Sequence, residues 1–247
     1  VSLAHTWLTQ PDIDQDEVQQ AAHDSGYASS KAVAEYLVDA AYRRGDVCGL
    51  IARLGMVAGC SQTGTNAPTD FVARLLLGIA ATRAFPHTDG PRHTMVHSLP
   101  VDVAAAAIVD LAVGTLSGAT INVVSGAPRQ SMEALRQSLL AFGPPYEALP
   151  LVPFAEWMQR VKADAALSLW PVFSWAASLE DFPQFNHRCP PLGRCAQLVR
   201  PETAAAMQRG FDELALHRVV TNLFATRGQL NWMHVRHALA PSRSKSS

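Results

Sequence analysis

Hydrophobic residues in the first fifty positions follow two successive spacings, one helical and one typical of a strand. Apolar residues recur every three or four positions between about Tyr27 and Arg44, which predicts an amphipathic helix that ends at Gly45. The predicted apolar stripe of this helix comprises Val33, Leu37, Ala40 and Ala41. Residues 46–52 form a short apolar run with β-branched residues and predict a buried parallel strand. A helix followed by such a strand is half of a βαβ unit.

The mixture of helix and strand signals continues to about residue 150 and then changes. Residues 1–3 predict the end of a strand, and residues 53–66 predict a glycine-rich loop. Further elements before residue 150 are predicted as helices at 70–83, 100–112 and 131–142 and a strand at 120–125. Beyond residue 150 the strand signals disappear, and helices are predicted near 154–162, 201–209 and 211–227.

This order of elements predicts an α/β fold: the C-terminal half of a Rossmann-type doubly wound parallel sheet, followed by a smaller, mainly helical substrate subdomain. We assign residues 1–125 to the C-terminal part of the Rossmann domain, 126–240 to the helical subdomain and 241–247 to a disordered tail. The chain opens with V-S-L-A, without a methionine or a preceding turn, so we also expect it to be a fragment of a longer protein.

The charge balance narrows the class of partner. The 247 residues carry 20 basic and 21 acidic side chains, a net charge of −1, which disfavours nucleic acid as the main partner. No apolar run approaches the ~20 residues that cross a bilayer, and no charged leader opens the chain. Cys48, Cys60, Cys189 and Cys195 show no C-x-x-C spacing and predict reduced thiols. We therefore expect a cytoplasmic protein without a membrane or nucleic-acid partner.

The first candidate for chemistry is the sequence G-Y-A-S-S-K at the start of the first predicted helix, which contains Tyr27 and Lys31. Residues four apart in a helix lie on the same face. A nearby ammonium group favours the phenolate and lowers the pKa of a phenol, which makes Tyr27 a candidate general acid or base. The alternative is a surface pair without a catalytic role. The chain has only three lysines and four tyrosines, so chance seldom produces this spacing.

Ser2 is the third candidate, because it lies at the end of the predicted strand before this helix. Open α/β sheets bind ligands at the carboxyl ends of their strands. A serine hydroxyl there can donate a hydrogen bond to a substrate carbonyl and polarise it. Without Tyr27 and Lys31 nearby, Ser2 would be interpreted as an ordinary serine near the start of the chain.

The segment G-Y-A-S-S-K-A-V-A-E (residues 26–35) closely resembles the active-site helix of the extended short-chain dehydrogenases/reductases. Within that superfamily, the chain resembles the thioester reductase domains that end nonribosomal peptide synthetases, polyketide synthases, aminoadipate reductases and carboxylic acid reductases. The other matching segments are V-S-L-A (1–4), R-L-G-M-V-A-G…T-G (53–64), P-V-D (100–102), I-N-V-V (121–124) and F-A-E-W (154–157). The Y-x-x-x-K motif is specific to the superfamily, and the R-L-G…T-G and P-V-D spacing favours thioester reductases over sugar epimerases.

This resemblance implies an NADPH-dependent reductase. Its substrate would be an acyl or peptidyl thioester on the phosphopantetheine arm of a carrier protein, and its product an aldehyde, which some relatives reduce to an alcohol. Ser2 and Tyr27 would steady the oxyanion, and Tyr27 would supply the proton. The resemblance also implies that Tyr27 and Lys31 bind the cofactor, with Arg53 and Gly55 near its nicotinamide end.

One part of the family pattern does not occur in the sequence. The phosphate loop of the family, G-x-x-G-x-x-G after the first strand, is absent from the 247 residues. Gly55, Gly59 and Gly64 do not replace it, because they do not form a strand-to-helix turn that opens onto a phosphate-binding helix. We therefore expect the chain to be inactive in isolation.

Two alternatives stay open from the sequence. The protein could be another extended short-chain reductase, such as a nucleotide-sugar epimerase or dehydratase, or a non-catalytic module that docks a carrier protein. The histidines show no set of three metal ligands, so we expect no metal site, and no G-x-S-x-G motif of a serine hydrolase occurs. We expect Trp157, Trp170, Phe173 and Trp175 in the core of the helical subdomain, with Phe173 and Trp175 as alternative candidates to line an acyl channel.

The missing phosphate loop gives a prediction for the purified 247-residue chain. We expect it to bind NADPH only weakly, because the backbone donors that hold the pyrophosphate in dinucleotide-binding folds come from that loop. Isothermal titration calorimetry measures this affinity, and a micromolar dissociation constant would contradict the prediction.

Overall fold

The computed structural model describes residues 2–3, 26–67, 70–87, 95–96, 98–114, 116–126, 130–144, 146–163 and 193–227. Within these residues the helices are α1 (Gly26–Arg43), α2 (Phe71–Thr82), α3 (Val101–Val113), α4 (Met132–Phe142), α5 (Phe154–Ala163), α6 (Gly193–Leu198), α7 (Pro201–Arg209) and α8 (Glu213–Arg227). The strands are β1 (Ser2–Leu3), β2 (Ile51–Leu54), β3 (Met56–Ala58), β4 (Phe85–His87), β5 (Met95–Val96), β6 (Ser98–Pro100), β7 (Thr120–Val123), β8 (Gln130–Ser131) and β9 (Leu151–Pro153). The predicted tail at 241–247 lies outside the described residues.

Parallel pairing dominates the described strands. β1, β2 and β7 form a parallel three-stranded sheet in that order, and β3–β6 and β4–β9 are further parallel pairs. β5 and β8 form an antiparallel pair. Parallel neighbours need a crossover connection, and here α1 lies between β1 and β2 in sequence. The predicted α/β class is confirmed.

Among the described residues, two hydrophobic clusters pack the helices and strands together. In the first, Leu76 of α2, Trp157 of α5 and Val219 of α8 are buried together with other apolar residues. In the second, Ile121 of β7 and Met207 of α7 are buried with residues of β2 and α3. Both clusters combine residues from before and after position 125, and the division of the chain there stays a prediction. No helix in the described part of the chain is both long and apolar enough to span a bilayer.

The carboxylate of Asp110 joins the last turns of α3 to the start of α7. Its side chain is 4% exposed and accepts hydrogen bonds from the backbone N–H (3.1 Å) and Nε (2.7 Å) of Arg200. Arg200 is the N-cap residue of α7 but makes no side-chain cap bond, so Asp110 provides a carboxylate at this N-terminus from another helix. The hydroxyl of Thr203 and the guanidinium of Arg200 lower the pKa of Asp110, against the opposing effect of desolvation.

The strands differ from the sequence prediction more than the helices do. β2 spans Ile51–Leu54, whereas the predicted strand spanned 46–52, and residues 46–49 are exposed. β3 lies within the predicted glycine-rich loop, and β9 follows residue 150, where no strand was expected. These strands have three residues each, which is too short for a two-residue alternation to stand out.

The predicted apolar stripe of α1 is wrong in part. Val33 and Leu37 are 57% and 60% exposed, whereas Ala32 is 8% exposed. The physical reason is that α1 directs Glu35, not the Val33–Leu37 side, toward an arginine of β2.

Replacement of Asp110 tests the cap of α7. We expect Asp110→Asn to lower the Tm at neutral pH by about 2–4 °C, because the buried carboxylate that accepts two hydrogen bonds from Arg200 loses its charge. The pKa of Asp110 is lowered in the folded protein, so the stabilisation is complete above about pH 5 and is lost as the pH falls below about 4 through the folded value. Calorimetric scans should therefore show a Tm difference that shrinks in acid.

The matched control is Glu202→Gln. Glu202 also lies near Arg200, at 3.2 Å, but its side chain is 67% exposed, so this replacement should change the Tm little. A Tm loss in the Asp110 variant that stays constant from neutral to acidic pH would contradict the assigned role.

Candidate active site

Three parallel strands place Ser2, Arg53 and Asn122 in one row across the sheet. Ser2 on β1 is the register partner of Arg53 on β2, and Arg53 is the register partner of Asn122 on β7. Neighbouring strands are about 4.8 Å apart, and register partners lie on the same face of the sheet. The next row contains the last residue of each strand. The polar row therefore lies one residue from the carboxyl edge, where open α/β sheets bind ligands.

α1 carries the tyrosine–lysine pair to the same edge. Tyr27 lies in the first turn of α1 and Lys31 in the second, so their four-residue spacing is helical. A helix that connects two parallel strands runs back along the sheet, so the first turn of α1 lies at the carboxyl edge. α1 packs against β1, the strand of Ser2, and Lys31 is half-buried. The three predicted catalytic positions thus share one edge, and their catalytic roles stay predictions.

A buried ion pair between Glu35 and Arg53 joins α1 to β2. Nη2 of Arg53 lies 2.7 Å from Oε2 of Glu35, and Nε lies 3.2 Å from Oε1 and 3.1 Å from Oε2. The two side chains are only 8% and 11% exposed. The predicted role of Arg53 toward a cofactor stays a prediction, and its guanidinium donates to a protein carboxylate. The sequence analysis assigned no role to Glu35. Its position one turn after Lys31 on the same helix face could have marked it as a further candidate residue of the site.

Gly55, the other predicted cofactor residue, directly follows β2. Its backbone N–H donates to the carbonyl oxygen of Val123, at 3.1 Å. A Cβ at Gly55 would lie 3.5 Å from Cγ1 of Val124, which is an ordinary van der Waals distance. Packing within the protein therefore does not require glycine at this position, and its proximity to a cofactor stays a prediction.

The loop that follows β3, residues 59–66, is held from two sides. The backbone N–H (2.8 Å) and hydroxyl (2.7 Å) of Ser61 donate to the two carboxylate oxygens of Asp102, in the first turn of α3. Nη1 of Arg218 on α8 donates to the carbonyl oxygen of Ser61, at 2.7 Å. Gly64 has a φ of +72°, and a Cβ there would collide with the backbone of Arg218. The T-G and P-V-D segments identified in the sequence therefore meet through this loop.

Asp102 explains the P-V-D segment in physical terms. Desolvation raises the pKa of Asp102, but the hydroxyl and backbone N–H of Ser61 and the N–H groups of the first turn of α3 outweigh it, so the pKa is lowered. Asp102 is therefore charged at neutral pH and able to hold the loop. Ser61 lies 41 residues earlier in the chain, so the motif by itself did not reveal this partner.

The metal, aromatic and cysteine candidates from the sequence contribute no reactive group to the carboxyl edge in the described part of the chain. The described residues contain no group of three side chains that could hold a metal ion. Trp157 is fully buried in the first cluster, whereas Trp170, Phe173 and Trp175 lie outside the described residues. Burial raises the pKa of the Cys195 thiol to about 11, which makes it a poor nucleophile.

A groove of about 230 Å³ lies between α4 and α8. Leu139, Leu216 and Val220 are its buried apolar residues, and the exposed side chains of Glu213 and His217 border it. None of the predicted site residues lines this groove, so it is a feature separate from the carboxyl edge.

Comparison with protein families bears on the carboxyl edge directly. Residues 6–108 match the NAD-binding family model described as Male sterility protein. The matched segment includes α1, β2 and the loop after β3, and with them Tyr27, Lys31, Arg53 and Gly55.

Two curated relatives match about two thirds of the chain. The L-2-aminoadipate reductase large subunit of Penicillium chrysogenum is 30% identical over 176 residues, which are 68% of this chain and 12% of that protein. A non-canonical nonribosomal peptide synthetase of Aspergillus hancockii is 27% identical over 159 residues, 64% of this chain and 15% of that protein. The chain thus spans no more than 15% of the length of these relatives.

A solved structure matches nearly the whole chain. The terminal R domain from the myxalamid PKS-NRPS biosynthetic pathway aligns with a TM-score of 0.59 and 25% identity, over 92% of this chain and 54% of that one. The chain is thus similar to a terminal reductase domain over most of its length. A thiolation-reductase di-domain from an archaeal nonribosomal peptide synthetase aligns with a TM-score of 0.59 over 83% of this chain and 42% of that one, and its 18% identity supports the fold alone. The predicted family resemblance and the Rossmann-type fold are confirmed.

Two glycines with positive φ test how tightly α8 packs on the loop after β3. Gly45 (φ +78°) has nothing within 4 Å of an added Cβ, so Gly45→Ala should cost about 1 kcal/mol of backbone strain. Gly64→Ala adds a collision with the backbone of Arg218 and should cost roughly 1–3 kcal/mol more. Chemical denaturation of both variants measures the difference. Equal losses would show that α8 does not pack against Gly64.

Proposed function

We propose that this chain forms the catalytic part of a reductase that uses NADPH to release a carrier-bound acyl or peptidyl thioester as an aldehyde. The proposal is supported by the backbone positions of Ser2 in β1 and of Tyr27 and Lys31 in the first two turns of α1, which packs against β1, and by the similarity of the chain to a terminal R domain. Kinship with the aminoadipate reductase and the R domain favours this activity over the epimerase alternative.

The described residues suit the nicotinamide and ribose end of a nicotinamide cofactor better than its pyrophosphate. Tyr27 and Lys31 would hold the nicotinamide and its ribose, since an ammonium group offers several donors to ribose hydroxyls. Gly59 and Gly64 are engaged within the protein: a Cβ at Gly59 would lie 2.7 Å from Cγ2 of Val219, and Gly64 packs on α8. These glycines are therefore not available to cradle a pyrophosphate, and the sequence holds no other phosphate loop of the family type. The bound cofactor would supply the hydride for the thioester carbonyl carbon.

Each candidate residue then has a task at the carbonyl oxygen of the thioester. Ser2 and Tyr27 would donate hydrogen bonds to this oxygen and stabilise the negative charge that develops on it. Tyr27 would transfer its proton to the oxygen as a general acid, and Lys31 would stabilise the resulting phenolate. The carbon–sulfur bond of the hemithioacetal then breaks, the thiol of the phosphopantetheine arm leaves, and an aldehyde is released.

The partner in this proposal is an acyl or peptidyl carrier protein. Support comes from the relatives, one a nonribosomal peptide synthetase and the other an R domain of a PKS-NRPS pathway. The use of NADPH rather than NADH and a cytoplasmic location belong to the same proposal. Reduction of an acyl thioester to a further product, the alcohol, is compatible with the same residues.

Tyr27→Phe tests the proposal in the full-length protein that contains this chain. We expect the variant to lose NADPH-dependent reduction of a carrier-bound thioester by about 10²–10⁴-fold, because the phenylalanine has no proton to donate. NADPH consumption and aldehyde formation measure the activity, and circular dichroism and the Tm check that the fold is intact.

Tyr36→Phe is the matched control, since Tyr36 lies on the same helix and is 59% exposed. It should retain wild-type activity. Full activity in the Tyr27 variant would overturn its role as proton donor. Turnover of a nucleotide sugar without thioester reduction would support the epimerase or dehydratase alternative instead.

A further inference from the structure

We propose that Glu35 and Arg53 are positioning residues of this site. Their buried ion pair fixes the position of α1 along its own axis relative to β2. It therefore sets how far Tyr27 and Lys31 lie from the row of strand residues that contains Ser2. The inference rests on the proposed function, in which those three residues act on one thioester carbonyl.

The ion pair links the two halves of the site. Arg53 is the register partner of Ser2, so its position is fixed relative to β1 by the strand pairing. Glu35 is one turn beyond Lys31 and two turns beyond Tyr27, about 6 Å and 12 Å along the helix axis. Since residues of one helix move together, the bond between Glu35 and Arg53 sets the level of both Tyr27 and Lys31 against the strand of Ser2.

Apolar packing gives α1 limited support in the described part of the chain. Its exposed large apolar side chains, 45–60% accessible, are Val33, Tyr36, Leu37 and Val38. Exposed side chains contribute little burial energy, so they do little to hold the helix at one height. Ala32 is buried but small, and Tyr42 packs against Gly118 near the far end of the helix. The ion pair is a directional polar contact near the middle of α1, and it is therefore well placed to fix the axial position of α1 relative to β2.

The geometry of the pair demands both residue types. Nε of Arg53 donates to Oε1 of Glu35 and Nη2 donates to Oε2, the forked arrangement that guanidinium groups make with a carboxylate. A lysine at position 53 would keep the charge but lose the fork. An aspartate at position 35 would keep the charge but shorten the side chain by one methylene, so either the bonds or the position of α1 must change.

The pair acts through distance rather than through its charge. A carboxylate and a guanidinium in contact are together neutral, and Glu35 lies about 12 Å along the axis from Tyr27. Tyr27 and Lys31 lie on the same helix, so a shift of α1 moves them together. We therefore expect changes in the ion pair to alter the rate of reduction without altering the midpoint of its pH profile.

The experiment compares Glu35→Asp and Arg53→Lys with Asp39→Asn in the full-length protein. Asp39 is the matched control, because it forms an ion pair of 2.9 Å with Arg43 on the same helix, with Arg43 68% exposed. The two charge-conserving variants should lower kcat by about 10- to 100-fold, the size of effect expected for a misplacement near 1 Å, with KM for the thioester changed far less. The midpoints of their pH profiles should match wild type, and Asp39→Asn should have wild-type kcat.

A second measurement needs no turnover. Hydrogen exchange of the backbone amides of α1 should be faster in Glu35→Gln than in wild type and unchanged in Asp39→Asn. Wild-type kcat in both charge-conserving variants, or unchanged exchange in Glu35→Gln, would overturn the inference. A shifted pH midpoint with wild-type exchange would assign the pair an electrostatic role and also overturn it.

These two measurements separate the inference from the proposed function. If the wild-type protein reduces no thioester, the proposed function fails, and the exchange of α1 still decides whether Glu35 and Arg53 hold the helix in place.

Discussion

A carboxylate that is withdrawn from water requires a partner, and in the described part of the chain the carboxylates of Glu35, Asp102 and Asp110 each connect two elements. Glu35 binds an arginine of β2, Asp102 binds a serine of the loop after β3, and Asp110 binds the arginine that begins α7. Each of these interactions joins residues from two different elements of the fold. α3 takes part at both ends, because Asp102 lies in its first turn and Asp110 in its last turns. The arrangement of α1, the loop and α7 around the sheet therefore depends on charges whose solvation has been replaced by protein donors.

The sequence was sufficient for most helices because their signals are local. The predicted helices at 154–162 and 201–209 agree with α5 and α7 to within one residue, since apolar periodicity and a proline or glycine mark their ends. Short strands carry too little periodicity, so β3 and β9 were missed, and β2 was placed too early. The orientation of α1 was also wrong in part, because a pattern of apolar residues does not reveal which side a buried ion pair will occupy.

The candidate site likewise contains residues that a local spacing reveals and residues whose proximity depends on strand pairing. Tyr27 and Lys31 could be found from the sequence because a four-residue spacing is enough to place them on one helix face. The neighbourhood of Ser2 and Arg53 depends on the register of two strands, which are about fifty residues apart in the chain. Glu35 had no assigned role until that register and the height of α1 were known. Sequence motifs therefore suggested the candidate residues, and the strand pairing showed that Ser2 and Arg53 are register partners.

The contact between Gly64 and the backbone of Arg218 has a consequence for protein engineering. The loop after β3 belongs to the segment that matches the NAD-binding family, yet its shape depends on a helix near the other end of the described chain. A chimaera that combined the first 125 residues with the helices of a similar protein would have to reproduce that helix backbone against Gly64. It would also have to begin a helix where Asp110 can cap it. The helices after position 200 thus cannot be exchanged independently of the sheet, because the loop after β3 takes its shape by packing against one of them.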